Sequence, residues 1–219
     1  MSAPMTPEVL LRAYALGVFP MARRHDAEEL CWVDPDSRGI LPLERFHVPR
    51  SLKKAIRKNP FTVRCDTAFT TVMRLCAEPT AQRPDTWINQ EILRLFSTLH
   101  EVGMAHSVEC WADDALVGGL YGLSLGGAFF GESMFSRRTD ASKIALVHLV
   151  ARLKKGGYSL LDTQFLTDHL AQFGTVEVPR QDYLKRLARA IEKPAHFYGA
   201  MGDDEVLAVL SAQSMTQIS

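Results

Sequence analysis

An α+β fold is predicted by three features of this 219-residue sequence. Three extended segments follow one another between Ser107 and Phe135, a long apolar-faced helical segment comes directly after them, and further helical segments flank this unit. With 47% hydrophobic residues the chain can bury one sizeable core, or one core and a small satellite. Lys and Arg total 25 and Asp and Glu total 25, so the net charge gives no hint of a nucleic-acid partner, and local clustering must be searched instead.

Taken in order, Thr6-Pro7-Glu8 opens a capped helix carrying Leu10, Ala13 and Tyr14, and Gly17 stops it. Val18 to Met21 leaves as an extended segment, and Cys31 to Leu41 is a turn-rich connector ending in a short apolar strand. Ser51 to Lys58 is predicted helical. Asp66 to Ala77 and Asn89 to Glu101 have helical periodicity, ended by Pro79 and Gly103. Ser107 to Trp111, Leu116 to Leu123 and Ala128 to Phe135 are predicted strands of an antiparallel meander, with tight turns at Asp113-Asp114 and Gly126-Gly127. Ser142 to Lys155 returns as a helix ended by Gly156-Gly157, followed by a buried strand over Tyr158 to Gln164. Two helices, Leu166 to Phe173 and Asp182 to Ile191, complete an order that suggests an acyltransferase-like layer. The sequence after Lys193 is mixed, and Ser211 to Ser219 is expected to be disordered.

Two stretches carry candidate chemistry. Between Arg45 and Lys58 there are six basic residues and no acid, and Arg50, Lys54, Arg57 and Lys58 share one helix face. Such a stripe is either a solvated face or a surface for a phosphate backbone, held by charge without sequence readout. The second stretch is Leu160-Leu161-Asp162-Thr163-Gln164, where an acid and an amide alternate with apolar residues, with Glu132 on a neighbouring glycine-bounded strand. Buried polar groups of this kind either fix a loop or hold and deprotonate an incoming amine. Trp87 stands at a helix junction, as a core residue or as a base-stacking platform.

Other chemistries find little support. The seven histidines show no metal-ligand spacing, GxGxxG and P-loop patterns are missing, and Ser133 lacks the GxSxG context. Neither a metal nor a cofactor is therefore expected. Cys31, Cys65, Cys76 and Cys110 are scattered, which favours free thiols in a reducing, cytoplasmic setting, and no stretch is long and apolar enough to span a membrane.

The chain resembles the leucyl/phenylalanyl-tRNA-protein transferases. The resemblance runs through Leu10-Leu11-Arg12-Ala13-Tyr14, Gly17-Val18-Phe19-Pro20, Trp32, Pro35-Asp36, Arg38, Thr86-Trp87-Ile88, Leu116 to Gly122, Gly131-Glu132-Ser133-Met134-Phe135-Ser136, Ala141-Ser142-Lys143, Asp162-Thr163-Gln164 and Pro179-Arg180. It implies a cytosolic enzyme, expected to be monomeric, that moves Leu (or Phe, Met) from aminoacyl-tRNA to proteins with N-terminal Arg or Lys, marking them for degradation. It implies a GNAT-type acyltransferase-like domain behind a small N-terminal domain. The expected division is 1–62 for the small domain with the basic helix, 63–194 for the catalytic domain and 195–219 for a C-terminal tail. By motif position Asp162 and Gln164 resemble the family's catalytic pair, with Glu132 beside them. Asp162 is expected to orient and deprotonate the amine, directly or through water, and Gln164 to position the ester carbonyl, while the 2'-hydroxyl of the adenosine is a further candidate to assist the leaving oxygen. The side-chain pocket falls on Leu120, Phe129, Met134, Leu149, Leu153 and Leu161, and adenosine stacking on Trp87 with Met21. Arg50, Lys54, Arg57 and Lys58 match the tRNA-binding cluster.

Three departures stand out. Met21 replaces a tryptophan that the family usually places after Phe-Pro, Leu149 and Leu153 stand where phenylalanine is common, and, with Leu10 so near the first residue, the small domain is expected to be shorter than the resemblance implies. The rival expectations are an acyl-CoA-dependent GNAT acyltransferase, a transferase of the same family with acidic acceptors, and a non-catalytic RNA-binding module. Ser136 to Ser142 replaces the glycine-rich pyrophosphate loop that the first of these needs.

Overall fold

The computed structural model describes residues 5–27, 29–58, 60–80 and 84–211. Its centre is the predicted meander: β5 (Ala105–Ala112), β6 (Ala115–Leu125) and β7 (Ala128–Ser136) pair antiparallel, with Leu120 opposite Val108 and Met134. Asp113 at φ 53 and Gly126 at φ 54 take the left-handed backbone that the two hairpin turns require. From β7 the chain crosses over through α5 (Ala141–Lys155) to β8 (Leu160–Gln164), which lies parallel to β7, and the one-turn α6 (Asp168–Ala171) follows. The strand–helix–strand order behind the α+β expectation is therefore present.

Three strands join this unit from outside it. β4 (Thr62–Cys65) pairs with β5, while β3 (Ser37–Ile40) pairs with β8 and in turn with β9 (Val176–Pro179), giving the order β4-β5-β6-β7-β8-β3-β9. Both edge strands have only four residues, too few for a period-2 signal to stand out, so the sequence did not announce them. From within the expected small domain over 1–62, β3 enters the large sheet and lies between β8 and β9. What precedes β3 is α1 (Pro7–Ala15) and a two-stranded ribbon of β1 (Phe19–Ala22) and β2 (Leu30–Val33).

Helices cover both faces of the sheet, which explains why its middle strands are apolar on both sides. Along β6, Leu120 belongs to the core beneath α5, together with Leu149 and Leu161. Its neighbour Tyr121 belongs to the opposite core with Tyr14, Phe96 and Phe130, built by α1, α3 (Phe69–Ala77), α4 (Gln90–Glu101) and α7 (Arg180–Ile191). Fully burying each of these side chains contributes about 1.5–3 kcal/mol before entropy is counted. Helix α3 starts three residues later than periodicity suggests. Asp66, at φ 59, ends β4, and its carboxylate accepts from the Ser107 amide at 2.8 Å instead of opening the helix.

The basic segment forms α2 (Arg50–Arg57), with Leu52 and Ile56 inward and Arg50, Lys54, Arg57 and Lys58 exposed. The C-terminal stretch is more ordered than its mixed composition implied. Buried Arg152 donates to the carbonyls of Gly199 and Met201, and α8 (Asp203–Ser211) packs on α5 and α2. Of the segment expected to be disordered, Ser211 closes α8 and 212–219 lie outside the described residues. No helix among the described residues is long and apolar enough to cross a membrane.

Candidate active site

β7 and β8 run side by side for only three residue pairs, Ala128 to Phe130 against Leu160 to Asp162. Beyond them β7 stays with β6 while β8 follows β3, so the sheet forks. A bulge lies on each prong. Tyr121 faces Ser133 and Gly122 faces Gly131, leaving Glu132 as the extra residue; Ile40 faces Asp162 and Gly39 faces Gln164, leaving Thr163 as the other. Bulges re-aim side chains, and here both extra residues line a cavity of about 740 Å³ that fills the fork.

One wall of the cavity is apolar, made by Leu120, Met134, Leu146, Leu149 and Leu161 from β6, β7, α5 and β8. Four of these five belong to the expected pocket; Leu146 is new. Phe129 and Leu153 are also expected there. Both are fully buried and do not line the cavity, and the Phe129 ring meets Tyr158 and Phe197 instead. Met21 and Trp87, far apart in sequence, both line the cavity, held together by the bond from the Ala22 amide to the Trp87 carbonyl at 3.1 Å.

Glu132 and Gln164 supply charge and amide to the cavity. Oε1 of Glu132 accepts from the Tyr14 hydroxyl at 2.8 Å, with Gln164 Nε2 at 3.4 Å, and Oε2 has no hydrogen-bond partner among the described residues. Burial pushes the Glu132 carboxyl up to about 8; the Tyr14 bond opposes this, the Asp162 charge adds to it and Arg38 reduces it.

Asp162 lies outside the cavity lining and is fully buried. Its two oxygens accept from Arg38 Nε at 2.9 Å and Nη2 at 2.8 Å, from the Tyr183 hydroxyl at 2.6 Å and from the Gln164 amide at 2.8 Å. With every strong acceptor direction already taken, this carboxylate is set to orient its neighbours rather than to meet an amine directly. Gln164 does not continue the plain alternation of β8. The bulge and a φ of 56 at Gln164 bring its amide toward Glu132. Arg38 is the residue that sequence reasoning left without a role. It is 1% exposed, pairs Asp162 bidentately, donates to Gly17 O at 2.9 Å and lies over the rings of Phe19 and Tyr183. An arginine leading into the apolar run Ile40-Leu41 was the available signal.

Among the described residues no group of three or more His, Cys, Asp or Glu side chains could hold a metal ion. Burial pushes the Cys65 and Cys110 thiols up to about 12, which leaves them poor nucleophiles.

Two sequence models of known families match the chain: leucyl/phenylalanyl-tRNA protein transferase over residues 40–188, and the N-terminal domain of the same family over 4–36. The break between them falls within β3, where the chain enters the large sheet. Three curated relatives carry the name leucyl/phenylalanyl-tRNA–protein transferase. That of Paramagnetospirillum magneticum is 65% identical over 194 residues, covering 89% of this chain and 93% of the relative. That of Rhodospirillum rubrum is 57% identical over 210 residues (96% and 98%), and that of Caulobacter vibrioides is 58% identical over 199 residues (91% and 92%). Among solved structures, L-PGS from Bacillus licheniformis overlays with a TM-score of 0.39 at 10% identity, covering 92% of this chain and 67% of that one.

Proposed function

Because the chain belongs to the leucyl/phenylalanyl-tRNA-protein transferase family, we propose that it moves Leu, or Phe and Met, from aminoacyl-tRNA to the N-terminus of proteins that begin with Arg or Lys. The observation that carries this reading is the forked cavity itself. An apolar wall suited to an aliphatic or aromatic side chain faces a carboxylate with one oxygen unengaged. Its donor is already activated as an ester, so the reaction needs alignment and an uncharged amine, with no cofactor.

The side chain of the donor residue sits against Leu120, Met134, Leu146, Leu149 and Leu161, and the terminal adenosine stacks at Trp87 beside Met21. The acceptor's N-terminal ammonium first gives one proton to Oε2 of Glu132; the uncharged amine nitrogen then attacks the ester carbonyl carbon, the new C–N bond forms as the C–O3' bond breaks, the second proton shed by the nitrogen passes to O3', and Glu132 releases the first to solvent. An N-terminal amine ionises near about 8, which matches Glu132 held at about 8 and makes that proton transfer nearly level in energy. Gln164 positions the ester carbonyl. Asp162, with Arg38 and Tyr183, holds Gln164 through its backbone amide. The exposed face of Arg50, Lys54, Arg57 and Lys58 takes the tRNA backbone. A protein working on cytosolic tRNA, as a monomer, fits this scheme.

Labelled Leu-tRNA and Phe-tRNA, offered with peptides starting in Arg, Lys, Asp or Glu, test the reading. Transfer to Arg and Lys peptides without acetyl-CoA is the expected result. Transfer only to Asp and Glu peptides reassigns the acceptor class, and tRNA binding without transfer removes the enzyme reading.

A further inference from the structure

Tyr14 is fully buried on α1, and its ring packs edge-on against Phe130 at 4.9 Å and Phe96 at 6.4 Å. Phe130 lies two residues before Glu132 on β7, so one tyrosine touches the bulged strand twice, by ring and by hydroxyl. A second link from the same segment reaches the other acid: the Gly17 carbonyl, just past α1, accepts from Arg38, which grips Asp162. The N-terminal segment is thus tied to both carboxylates at the fork, although it contributes no strand to the large sheet before β3.

The geometry points to Tyr14 as a positioning residue for transfer: its hydroxyl pins Oε1 of Glu132 and leaves Oε2 turned to the incoming amine. This rests on the Glu132 reading above. Gln164 Nε2, at 3.4 Å from the same oxygen, is too distant to replace the phenol. The charged and titratable groups around Glu132 are Asp162 on β8, Arg38 on β3 and Tyr183 on α7, with His169 lining the same cavity, its imidazole held below its usual range by burial; among the described residues Tyr14 is the one close hydrogen-bond donor to Glu132. Burial and the Glu132 charge hold the Tyr14 phenol well above its usual range, so it remains a donor across the working pH.

The replacement Tyr14→Phe keeps the ring contacts and removes only the O–H. Leucyl transfer to an Arg-starting peptide is expected to fall about tenfold in kcat at pH 7, the scale of a hydrogen bond to a charged group, with KM for charged tRNA unchanged. The rising limb of the pH–rate profile moves to higher pH, because the carboxylate loses the donor that favours its charged form. The acceptor's amine ionises alike with both proteins, so the difference between their profiles reports the enzyme. That midpoint also does not depend on the fraction of protein folded, which thermal unfolding measures in parallel. A lowered rate with an unmoved limb makes Tyr14 a packing residue and overturns the inference. If Glu132→Gln transfers at the wild-type rate, the Glu132 reading fails with it; if Glu132→Gln is crippled and only the limb fails to move, the Glu132 reading stands and the Tyr14 assignment falls.

Discussion

Glu132 and Asp162 are two acids on adjacent strands with opposite surroundings. Asp162 is matched by a guanidinium, a phenol and an amide, whereas Glu132 has one phenol and a cavity. Burial holds the Glu132 carboxyl at about 8 against the usual 4.5, so between those values the unfolded chain releases a proton that the folded chain keeps. The stability that this group contributes is full below pH 4.5 and is lost as pH rises through 8. Glu132→Gln is therefore expected to abolish most transfer while raising the thermal midpoint above wild type at pH 9, with a smaller difference at pH 5, as followed by circular dichroism. Arg38→Met leaves Asp162 as a buried charge without its cation, a loss of about 3–5 kcal/mol. Urea midpoints should show that loss, and adding Asp162→Asn to Arg38→Met should recover a large part of it. Equal midpoints for the single and double variants would contradict the pairing.

At the scale of elements, the fork and the basic helix do different work. The two bulges place Glu132 and Thr163 on the cavity wall, whereas an unbulged pairing would continue the regular alternation of β7 and β8. Helix α2 is anchored by Leu52 and Ile56 and leaves four cations outward. Changing Lys54 and Arg57 to Glu is expected to weaken binding of charged tRNA and flatten its salt dependence, by about 0.9 in log–log slope for each duplex phosphate that is no longer neutralised. Transfer from a short aminoacyl-nucleoside donor should be unaffected, since such a donor reaches the cavity but not α2. Filter binding across a salt series, with both donors assayed for transfer, checks this. Much of this scale was legible in the sequence: the meander, α5 and the face of α2 follow from periodicity and charge spacing. The edge strands β4 and β9 did not, because four-residue strands at a sheet edge owe their existence to the neighbour they pair with.

For the whole molecule, the cavity lies between layers, and its size is set by side chains from β6, β7, α5 and β8 together. Leu149→Ala should widen the apolar wall and raise the ratio of phenylalanyl to leucyl transfer. Leucyl transfer itself should fall about tenfold because the smaller side chain then packs loosely, one or two methylenes in such a pocket being worth about 1–3 kcal/mol. Competition between the two charged tRNAs measures the ratio, and an unchanged ratio would remove Leu149 from the donor pocket. The sequence by itself determined the α+β class, the family resemblance, the exposed basic face and four of the five leucines and methionines on the apolar wall, because local periodicity and motif order are carried by near neighbours in the chain. Tertiary structure alone decided that Asp162 is enclosed by Arg38 and Tyr183, that Glu132 is the acid facing the cavity, and that Phe129 and Leu153 belong to the core. Those outcomes depend on two bulges and on partners as far apart as Arg38 and Asp162, and hydrogen bonds across such separations leave no period in a sequence.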